Sequence, residues 1–329
     1  AQSNYWNGNI PWVSTTLIDF NTILESNEFI TNDGLANSSA KLFPKGTLLM
    51  AMYGQGKTRG KVAILGIEAT TNQACGAIVP NNDKLNELFL FQNLAGRYDE
   101  IRDLSNQCGQ ENLSGEIIKN ILITLPTLPE QQKIATFLTT VDEKLQALKQ
   151  KKSLLEQYKK GVMQKIFSQE LRFKDDNGNE FADWEEKKLG EISRITTGSS
   201  NREDSNLDGK FTFFDRSQDI RSSNRFLFDA EAIIIPGEGQ EFIPEYFIGK
   251  FDLHQRTYAI MDIEPNNGKF LFYYIIFNSN HLNSHAVGST VKSLRLPMFE
   301  KMPIKLASQE EQTKIANFLS AIDEKINQC

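Results

Sequence analysis

Seventeen residues near the middle of the chain recur at its end, and this repeat constrains the fold more than any other feature. Residues 130–146 read EQQKIATFLTTVDEKLQ and residues 311–327 read EQTKIANFLSAIDEKIN, with ten identities at an offset of 181 residues. Repeats of solenoid proteins are much shorter, roughly 20–50 residues. One repeat at this distance therefore predicts two similar halves, each made of a globular region followed by a helix.

Local signals predict that the repeated segment is helical. Pro129 followed by Glu130 is a typical helix start. Apolar residues then recur every seven positions, with a second row four positions later, as in a coiled-coil seam. A helix over residues 130–168 would be about 58 Å long. The predicted seam consists of Ile134, Leu138, Val141, Leu145, Leu148, Leu155, Val162 and Ile166 in the first copy and of Ile315, Leu319, Ile322 and Ile326 in the second.

Two separate amphipathic core helices would show the same spacing. The length of the first helix and the duplication favour two helices that pack on each other. Lys152 and Lys159 interrupt the second row of the seam in its middle.

Composition indicates an ordinary globular protein of two domains. The chain has 329 residues, of which 40% are hydrophobic and 24% charged. The longest apolar run, residues 270–277, is too short for a bilayer, which needs about 20 residues. Cys75, Cys108 and Cys329 lack metal-knuckle spacing and are odd in number, which favours a reducing cytoplasm over a disulfide framework. The first residue is not Met and the last helix is short, so we expect a piece of a longer polypeptide.

Charge is distributed unevenly along the chain. The net charge is −6, yet residues 144–174 contain nine basic residues against only Glu156 and Glu170. One interpretation is a solvated helix face. The other is a cationic stripe that meets phosphate or an acidic partner.

The globular regions, residues 1–126 and 170–307, both have a mixed α/β pattern. In each, a short apolar strand (residues 47–52 and 232–235) leads into a glycine-rich turn. A second strand and a glutamine-centred segment follow, TNQACGAI in the first region and HQRTYAI in the second. A helical stretch comes next, at residues 85–104 and 269–278. The predicted fold class is therefore α/β, with two similar domains separated by long helices.

Motifs that would indicate catalysis or metal binding are weak in this sequence. Residues 51–58 fit a relaxed phosphate-loop pattern, but a strand-like segment follows where a phosphate loop must open a helix. Asp175 with Glu185 and Lys187 imitates a nuclease pattern that arises easily by chance, and His281 with His285 lacks a third metal ligand. We therefore predict no catalytic residue and no metal site in the chain.

The motif order resembles the specificity subunit of type I restriction–modification systems. The first half carries GQGKTRGKVAI, TNQACGAI, GQENLS and LPTLPEQQKIATFL in sequence, and ADWEEKKLGEISRITTGSS at residues 182–200 looks like that family's opening of a target-recognition domain. The resemblance covers nearly the whole chain. One departure is that the first half has no counterpart of the WEEKKLGE opening.

The resemblance implies two target-recognition domains, each of which reads half of a bipartite DNA site. Residues 1–126 and 170–307 would be these domains, and residues 127–169 and 308–329 would be helices of an antiparallel, pseudo-two-fold pair that sets their spacing. It also implies two methyltransferase (modification) subunits and restriction/translocase subunits as partners, in the cytoplasm of a bacterium or archaeon. S-adenosylmethionine, ATP and Mg would bind only to those partners, and this chain would have no cofactor.

Candidate DNA contacts follow from side-chain chemistry within these implied domains. Arg or Lys pairs with guanine and Asn or Gln with adenine, from loops or elements that enter a groove. The candidates are Tyr53, Gln55, Lys57, Arg59, Lys61, Asn72 and Gln73 in the first domain and Arg216, Gln218, Arg221, Asn224, Arg225, Gln240, His254 and Arg256 in the second. Ordinary solvent loops remain the alternative for each residue. A phosphate-loop NTPase with a coiled-coil dimerisation helix and a scaffold without nucleic acid remain alternative functions.

Overall fold

The computed structural model describes residues 2–54, 57–107, 112–217 and 220–329. The chain forms two compact units, residues 1–147 and 148–329, which we call unit 1 and unit 2. The boundary lies inside one long helix, so that helix contributes its first part to unit 1 and its second part to unit 2.

The described residues of unit 1 form eight strands and four short α-helices before the long helix. These elements are β1 (Trp6–Val13), β2 (Thr22–Ile23), β3 (Glu28–Ile30), α1 (Asn32–Ala36), β4 (Leu42–Phe43), β5 (Leu48–Ala51), β6 (Val62–Leu65), β7 (Ala69–Thr71), β8 (Cys75–Ile78), α2 (Glu87–Gly96), α3 (Tyr98–Gln107), α4 (Gly115–Lys119) and α5 (Leu128–Phe167). One sheet has the order β2-β6-β5-β8 and the other β3-β1-β7-β4. All side chains of β5 and β6 are buried, as expected for strands covered on both faces.

Unit 2 is built around a larger sheet. Its elements are β9 (Glu185–Lys188), α6 (Leu189–Ile192), β10 (Arg194–Thr197), β11 (Phe211–Phe214), β12 (Arg221–Ser223), β13 (Phe228–Pro236), β14 (Glu238–Gly239), β15 (Glu245–Leu253), β16 (Thr257–Met261), α7 (Gly268–Phe277), α8 (Ser279–His285), β17 (Lys292–Ser293), α9 (Leu296–Glu300), β18 (Pro303–Leu306) and α10 (Gln309–Asn327). The main sheet has the order β10-β16-β13-β15-β11-β12. One face packs on α7 and α10 and the other carries an aromatic cluster around Phe251.

The predicted duplication extends well beyond the repeated helix. The bounds of α2 and α7 differ by 181 residues at both ends, and so do those of α4 and α9. In unit 1, β5 lies between antiparallel β6 and β8; in unit 2, β13 lies between antiparallel β15 and β16. A parallel strand then joins each sheet, β2 beside β6 and β11 beside β15. The two units are thus two versions of one α/β design.

A buried glutamine in the first turn of each repeated helix fixes that helix to its own unit. The Gln131 carboxamide oxygen accepts a hydrogen bond from the backbone N–H of Asn86 (2.9 Å), and its nitrogen donates to backbone carbonyls. Gln312 forms the same bond with Asn267 (2.9 Å). Asn86 and Asn267 are the N-caps of α2 and α7. Since a buried carboxamide must find partners, this lock sets how each helix leaves its unit.

The long helix predicted over residues 130–168 is observed as α5, which has 40 residues and is about 60 Å long. Within unit 2 its last part runs antiparallel to α10, because Lys159 pairs with Asp323 (2.6 Å) while Arg172, just after α5, pairs with Glu311 (2.9 Å). The seam positions fully or nearly buried there are Ile166, Ile315, Leu319 and Ile322, with Val162 and Ile326 packed beside them.

The first part of the predicted seam differs. Val141 and Leu145 are each 48% exposed, while Ile134, Leu138, Leu148 and Leu155 are partly buried. In the part of unit 1 that the structure describes, no segment covers this face of α5 as residues 162–184 cover α10 in unit 2. Among the described residues, the helix pair is therefore confined to the last part of α5.

Candidate nucleic-acid interface

Two predicted arginines of unit 2 share one carboxylate. Arg256, in the turn between β15 and β16, donates from Nη1 to both oxygens of Glu238 (2.8 and 2.9 Å). Arg216, just after β11, donates to the same carboxylate (3.1 Å). The Glu238 side chain is 18% exposed, while those of Arg216 and Arg256 are 54% and 57% exposed. The result is a pair of solvent-facing guanidinium groups held by one largely buried acid.

Backbone bonds bring these three segments together. The N–H of His254 donates to the carbonyl of Phe214, and the N–H of Gly237 donates to the carbonyl of Arg256 (both 2.9 Å). Strand β14 also pairs with β17, with Glu238 opposite Ser293. These backbone hydrogen bonds therefore fix the relative positions of the three segments that carry Arg216, Glu238 and Arg256.

Electrostatics keep the acid charged and the adjacent histidine neutral. The hydrogen bond from Arg256, aided by Arg216, lowers the pKa of the Glu238 carboxyl. Partial burial lowers the pKa of His254, whose Nδ1 accepts a hydrogen bond from the backbone N–H of Arg256 (3.0 Å). At neutral pH the positive charge at this site thus comes from the arginines.

Arg225 is held in a second polar cluster of unit 2. Its Nη2 donates to Ser200 Oγ (2.8 Å) and to Asp204 (3.2 Å), and its Nε lies 3.4 Å from Asp252. Asp252 is fully buried and also accepts from the hydroxyl of Ser200. A guanidinium that is 53% exposed is thus held from beneath by a buried acid.

The side chains of the remaining unit 2 candidates are held less firmly by hydrogen bonds. Asn224 is exposed, and Gln240 donates to the carbonyl of Thr290 at 3.4 Å. Arg221 lies in β12, partly buried. Gln218 lies outside the described residues.

In unit 1 the predicted basic residues surround the turn that follows β5. Tyr53 and Lys57 are exposed, and the Lys57 carbonyl accepts a hydrogen bond from the hydroxyl of Tyr98 (2.6 Å). Lys61 is paired with Asp19 (2.5 Å) and lies over the ring of Phe20. Of the two lysines, Lys57 is therefore the one presented to solvent.

Of the other unit 1 candidates, one makes structural hydrogen bonds and the others are exposed or partly buried. Asn72 closes a turn, because its Oδ1 accepts from the N–H of Ala74 (3.1 Å) and from Cys75 Sγ (3.2 Å). Gln73 is exposed beside it, and Arg59 is partly buried. Gln55 lies outside the described residues. Burial raises the pKa of the Cys75 thiol to about 12, which makes it unreactive.

The phosphate-loop alternative is wrong. The turn at residues 57–60 leads into strand β6, so no helix N-terminus follows Lys57 to bind phosphates. Among the residues that the structure describes, no three His, Cys, Asp or Glu side chains are grouped to hold a metal ion. His281 and His285 stack on each other (4.2 Å between ring centroids). In the described ranges no helix combines the length and hydropathy needed to cross a bilayer.

The basic stretch at residues 144–174 is only partly a surface stripe. Lys159 is engaged by Asp323 and lies over the Tyr273 ring (4.9 Å), and Arg172 is bound to buried Glu311. Lys144, Lys149, Lys151, Lys152 and Lys160 are exposed on α5. Some of the predicted cationic residues thus hold unit 2 together.

Sequence reasoning missed the carboxylates Glu238, Asp252 and Asp204. Side-chain chemistry points to the Arg and Gln donors, whereas the acids that hold the arginines carry no such base-reading signal. A usable signal was the acid in the glycine-rich segment PGEGQ, since an acid among predicted basic residues is expected to pair with one of them.

Comparison with known proteins agrees with the duplicated architecture. A family model described as the type I restriction modification DNA specificity domain matches residues 1–157 and again residues 182–328. The MjaIX type I restriction enzyme specificity subunit of Methanocaldococcus jannaschii is 28% identical over 208 residues, which cover 60% of this chain and 48% of that protein. The EcoDI specificity subunit of Escherichia coli is 31% identical over 140 residues, which cover 43% and 31%. The chain spans about half, or less, of the length of these relatives.

A solved structure supports the fold. The type I restriction-modification system S subunit from M. genitalium superposes with a TM-score of 0.69 at 16% identity, covering 100% of this chain and 86% of that one. At this identity the likeness concerns the architecture alone.

Proposed function

Because the chain belongs to the type I restriction modification DNA specificity domain family, we propose that it is a non-catalytic, sequence-reading DNA-binding subunit of a type I restriction–modification complex. The observation that carries this proposal is the coincidence of two duplications. The family model matches twice, and each matched region presents exposed basic side chains at the turns of its own central sheet.

Each unit reads one half of a bipartite target. In unit 2 the reading residues are Arg216 and Arg256, with Arg225, Asn224 and Gln240 beside them. Arginine pairs bidentately with guanine. A guanidinium that is already held in place loses less side-chain entropy when it binds a base. In unit 1 the corresponding residues are Tyr53, Lys57 and Gln73, together with Gln55 and Arg59.

The domain limits, helix pair and partners complete the proposal. Residues 1–126 and 170–307 are the recognition domains, and residues 127–169 and 308–329 are the helices that set their spacing. Two modification subunits dock on the helices, and restriction/translocase subunits join the full complex. S-adenosylmethionine, ATP and Mg serve those subunits. The complex acts in the cytoplasm of a bacterial or archaeal cell; the relatives above come from an archaeon and a bacterium.

Selection of duplexes tests the proposal. The chain, assembled with its modification subunits, is mixed with a library of random duplexes, and the bound DNA is sequenced. Two short motifs separated by an unread spacer should be enriched. Arg256→Ala should relax one base pair of one motif by ~1–3 kcal/mol, and Lys57→Ala should affect only the other motif. Arg194→Ala is the matched control, because Arg194 is also exposed and acid-paired (2.5 Å to Asp262) but lies on β10. Enrichment of no motif would reject the proposal.

The spacing function has its own test. Between residues 142 and 154 the side chains of α5 are exposed, apart from the partly buried Leu148, so four residues inserted near Lys151 disturb no core. The insertion lengthens the helix by ~6 Å and adds about one turn. The enriched spacer should grow by about two base pairs, at ~3.4 Å each, while both motifs stay the same. An unchanged spacer in a folded, active insertion variant would show that the helix does not set the distance.

A further inference from the structure

In unit 2, a short segment pairs with the edges of two strands. We call this segment, residues 185–197, the clip; it comprises β9, α6 and β10. Strand β9 pairs antiparallel with β18, from Lys188 opposite Pro303 to Glu185 opposite Leu306. Strand β10 pairs antiparallel with β16 at the edge of the main sheet. The clip thus adds one strand to each of two edges that would otherwise be open.

Three apolar side chains anchor the clip in the core of unit 2. Leu189 is fully buried, and Ile192 and Ile195 pack on the same cluster. The cluster includes Phe299, Met302 and Ile304, all fully buried. Gly190 permits a close approach to α9, because a Cβ at this position would lie 3.1 Å from the Cα of Glu300. The clip therefore has a recognisable pattern of Leu-Gly followed by two isoleucines, each three positions apart.

The described residues of unit 1 contain the elements that would receive a clip but no clip itself. Residues 122–125 correspond to β18 at the offset of 181 but form no strand, and Leu122 is 86% exposed. Strand β8 corresponds to β16, and within the described residues its one sheet neighbour is β5. Among the described residues, two backbone edges that are strand-paired in unit 2 thus have no strand partner in unit 1, although the Leu122 carbonyl accepts a hydrogen bond from Arg97 Nη1 (2.8 Å). Open edges of this kind readily accept an added strand.

An apolar groove lies between these two edges. It has a volume of about 440 Å³ and is lined by β8, α2, α4 and residues 121–123. Its side chains Ile118, Ile121 and Ile123 are partly exposed, whereas their counterparts Phe299, Met302 and Ile304 are fully buried beneath the clip. The space that Leu189 and its neighbours fill in unit 2 is therefore open in unit 1.

The helix beside this groove is uncovered in the same way. In unit 2, buried Glu311 accepts hydrogen bonds from Trp184 Nε1 and Arg172 Nη2 (both 2.9 Å), residues that precede the clip. Its counterpart Glu130 is exposed. The open edges, the groove and the exposed acid all mark the same missing neighbour.

We propose that this groove of unit 1 docks a clip-type polypeptide segment from outside residues 1–329. The segment supplies a β-strand for each open edge and a Leu-Gly-x-Ile-x-x-Ile pattern for the groove. The observations favour this occupant over a second copy of the chain, because the clip of each copy is already committed: its Leu189 is fully buried in unit 2. Releasing it would expose that core.

A tethered clip tests the proposal in the full chain. Residues 183–198 are fused ahead of residue 1 through a flexible Gly/Ser linker, which raises the local concentration of the segment to the millimolar range. Hydrogen exchange is then followed by mass spectrometry. Amides of residues 122–125 and of β8 should exchange at least about tenfold more slowly than in the untethered chain. The same fusion with aspartate in place of its leucine and first isoleucine should give no protection.

Paired groove variants localise the effect. Ile123→Arg places a charge in the groove and should abolish the protection. Leu122→Arg adds the same charge one residue away, on the outward side of the segment, and should leave the protection intact. Absence of protection by the tethered clip in a folded chain would overturn the proposal. So would self-association of the untethered chain that Ile123→Arg alone abolishes, because a second copy would then fill the groove. Neither result depends on DNA binding.

Discussion

Replacement of Glu238 by glutamine tests whether the acid beneath Arg216 and Arg256 prepares them to read DNA. The carboxylate accepts hydrogen bonds from both guanidinium groups at 2.8–3.1 Å, and the bond from Arg256 is the main cause of its lowered pKa. It therefore stays ionised throughout the neutral range. Glutamine keeps the size of the side chain, removes its charge and turns one acceptor into a donor.

The size of the effect follows from the exposure of the partners. Because both arginines are more than half exposed, each ion pair contributes only ~0–1 kcal/mol to folding, and the variant should remain folded. A freed arginine must instead be ordered when it binds, at a cost of up to ~2 kcal/mol of side-chain entropy. Discrimination at the base pair that each arginine reads should fall by about 1–2 kcal/mol, or roughly 5–30-fold.

Non-specific binding to DNA should become stronger, whereas discrimination between bases falls. Removal of one negative charge beside the phosphates should let a freed arginine neutralise one more of them, which steepens the dependence of log K on log salt by about 0.9. The assay is a salt titration of binding to cognate and scrambled duplexes by the assembled complex. Glu241→Gln, an exposed acid three residues away, is the matched control. Unchanged discrimination in a folded Glu238→Gln complex would refute the positioning role of this acid.

Three further predictions concern the repeat and the rejected alternative. Leu319→Ala should cost ~2–5 kcal/mol of unfolding free energy in unit 2, whereas Leu138→Ala, at the equivalent but partly exposed position, should cost about 1 kcal/mol or less; site-resolved hydrogen exchange of each unit measures both. Gln312→Leu should cost ~1–3 kcal/mol because it leaves the Asn267 N–H unpaired, and faster amide exchange in the first turn of α7 would reveal it. The purified chain should not hydrolyse ATP, and activity that Lys57→Ala abolishes would restore the phosphate-loop interpretation.

Much of the fold was predictable because its signals are local. The 3.6-residue and seven-residue periodicities produce α5 and α10 wherever they occur, and Pro129 and Ser308 mark where those helices begin. The short apolar runs that became β5 and β13 each lead into a glycine-containing turn, and a continuous apolar run is typical of a strand covered on both faces. The fixed offset of 181 residues then required the second half to repeat the first.

The candidate site was predicted less well because its geometry depends on contacts across long stretches of sequence. Arg216, Glu238 and Arg256 meet only after β11, β14 and the turn before β16 are assembled side by side. Residue type alone identifies Arg and Gln as base readers, but it does not tell which of them an acid holds toward solvent. Asn72 shows the same dependence on context: its amide oxygen accepts the hydrogen bonds that close its own turn, which residue type alone does not indicate.

The seam on α5 shows why a heptad pattern does not by itself establish a helix pair. Val141 and Ile322 occupy equivalent positions in nearly identical sequences, yet Val141 is 48% exposed and Ile322 only 5%. The difference comes from residues 162–184, which supply Met163, Phe167 and neighbouring side chains to one copy and not to the other. A repeated sequence dictates the same helix twice because helix formation is local. Burial depends on what packs against that helix, so Ile322 is covered within unit 2 whereas Val141 remains on a partly exposed apolar face.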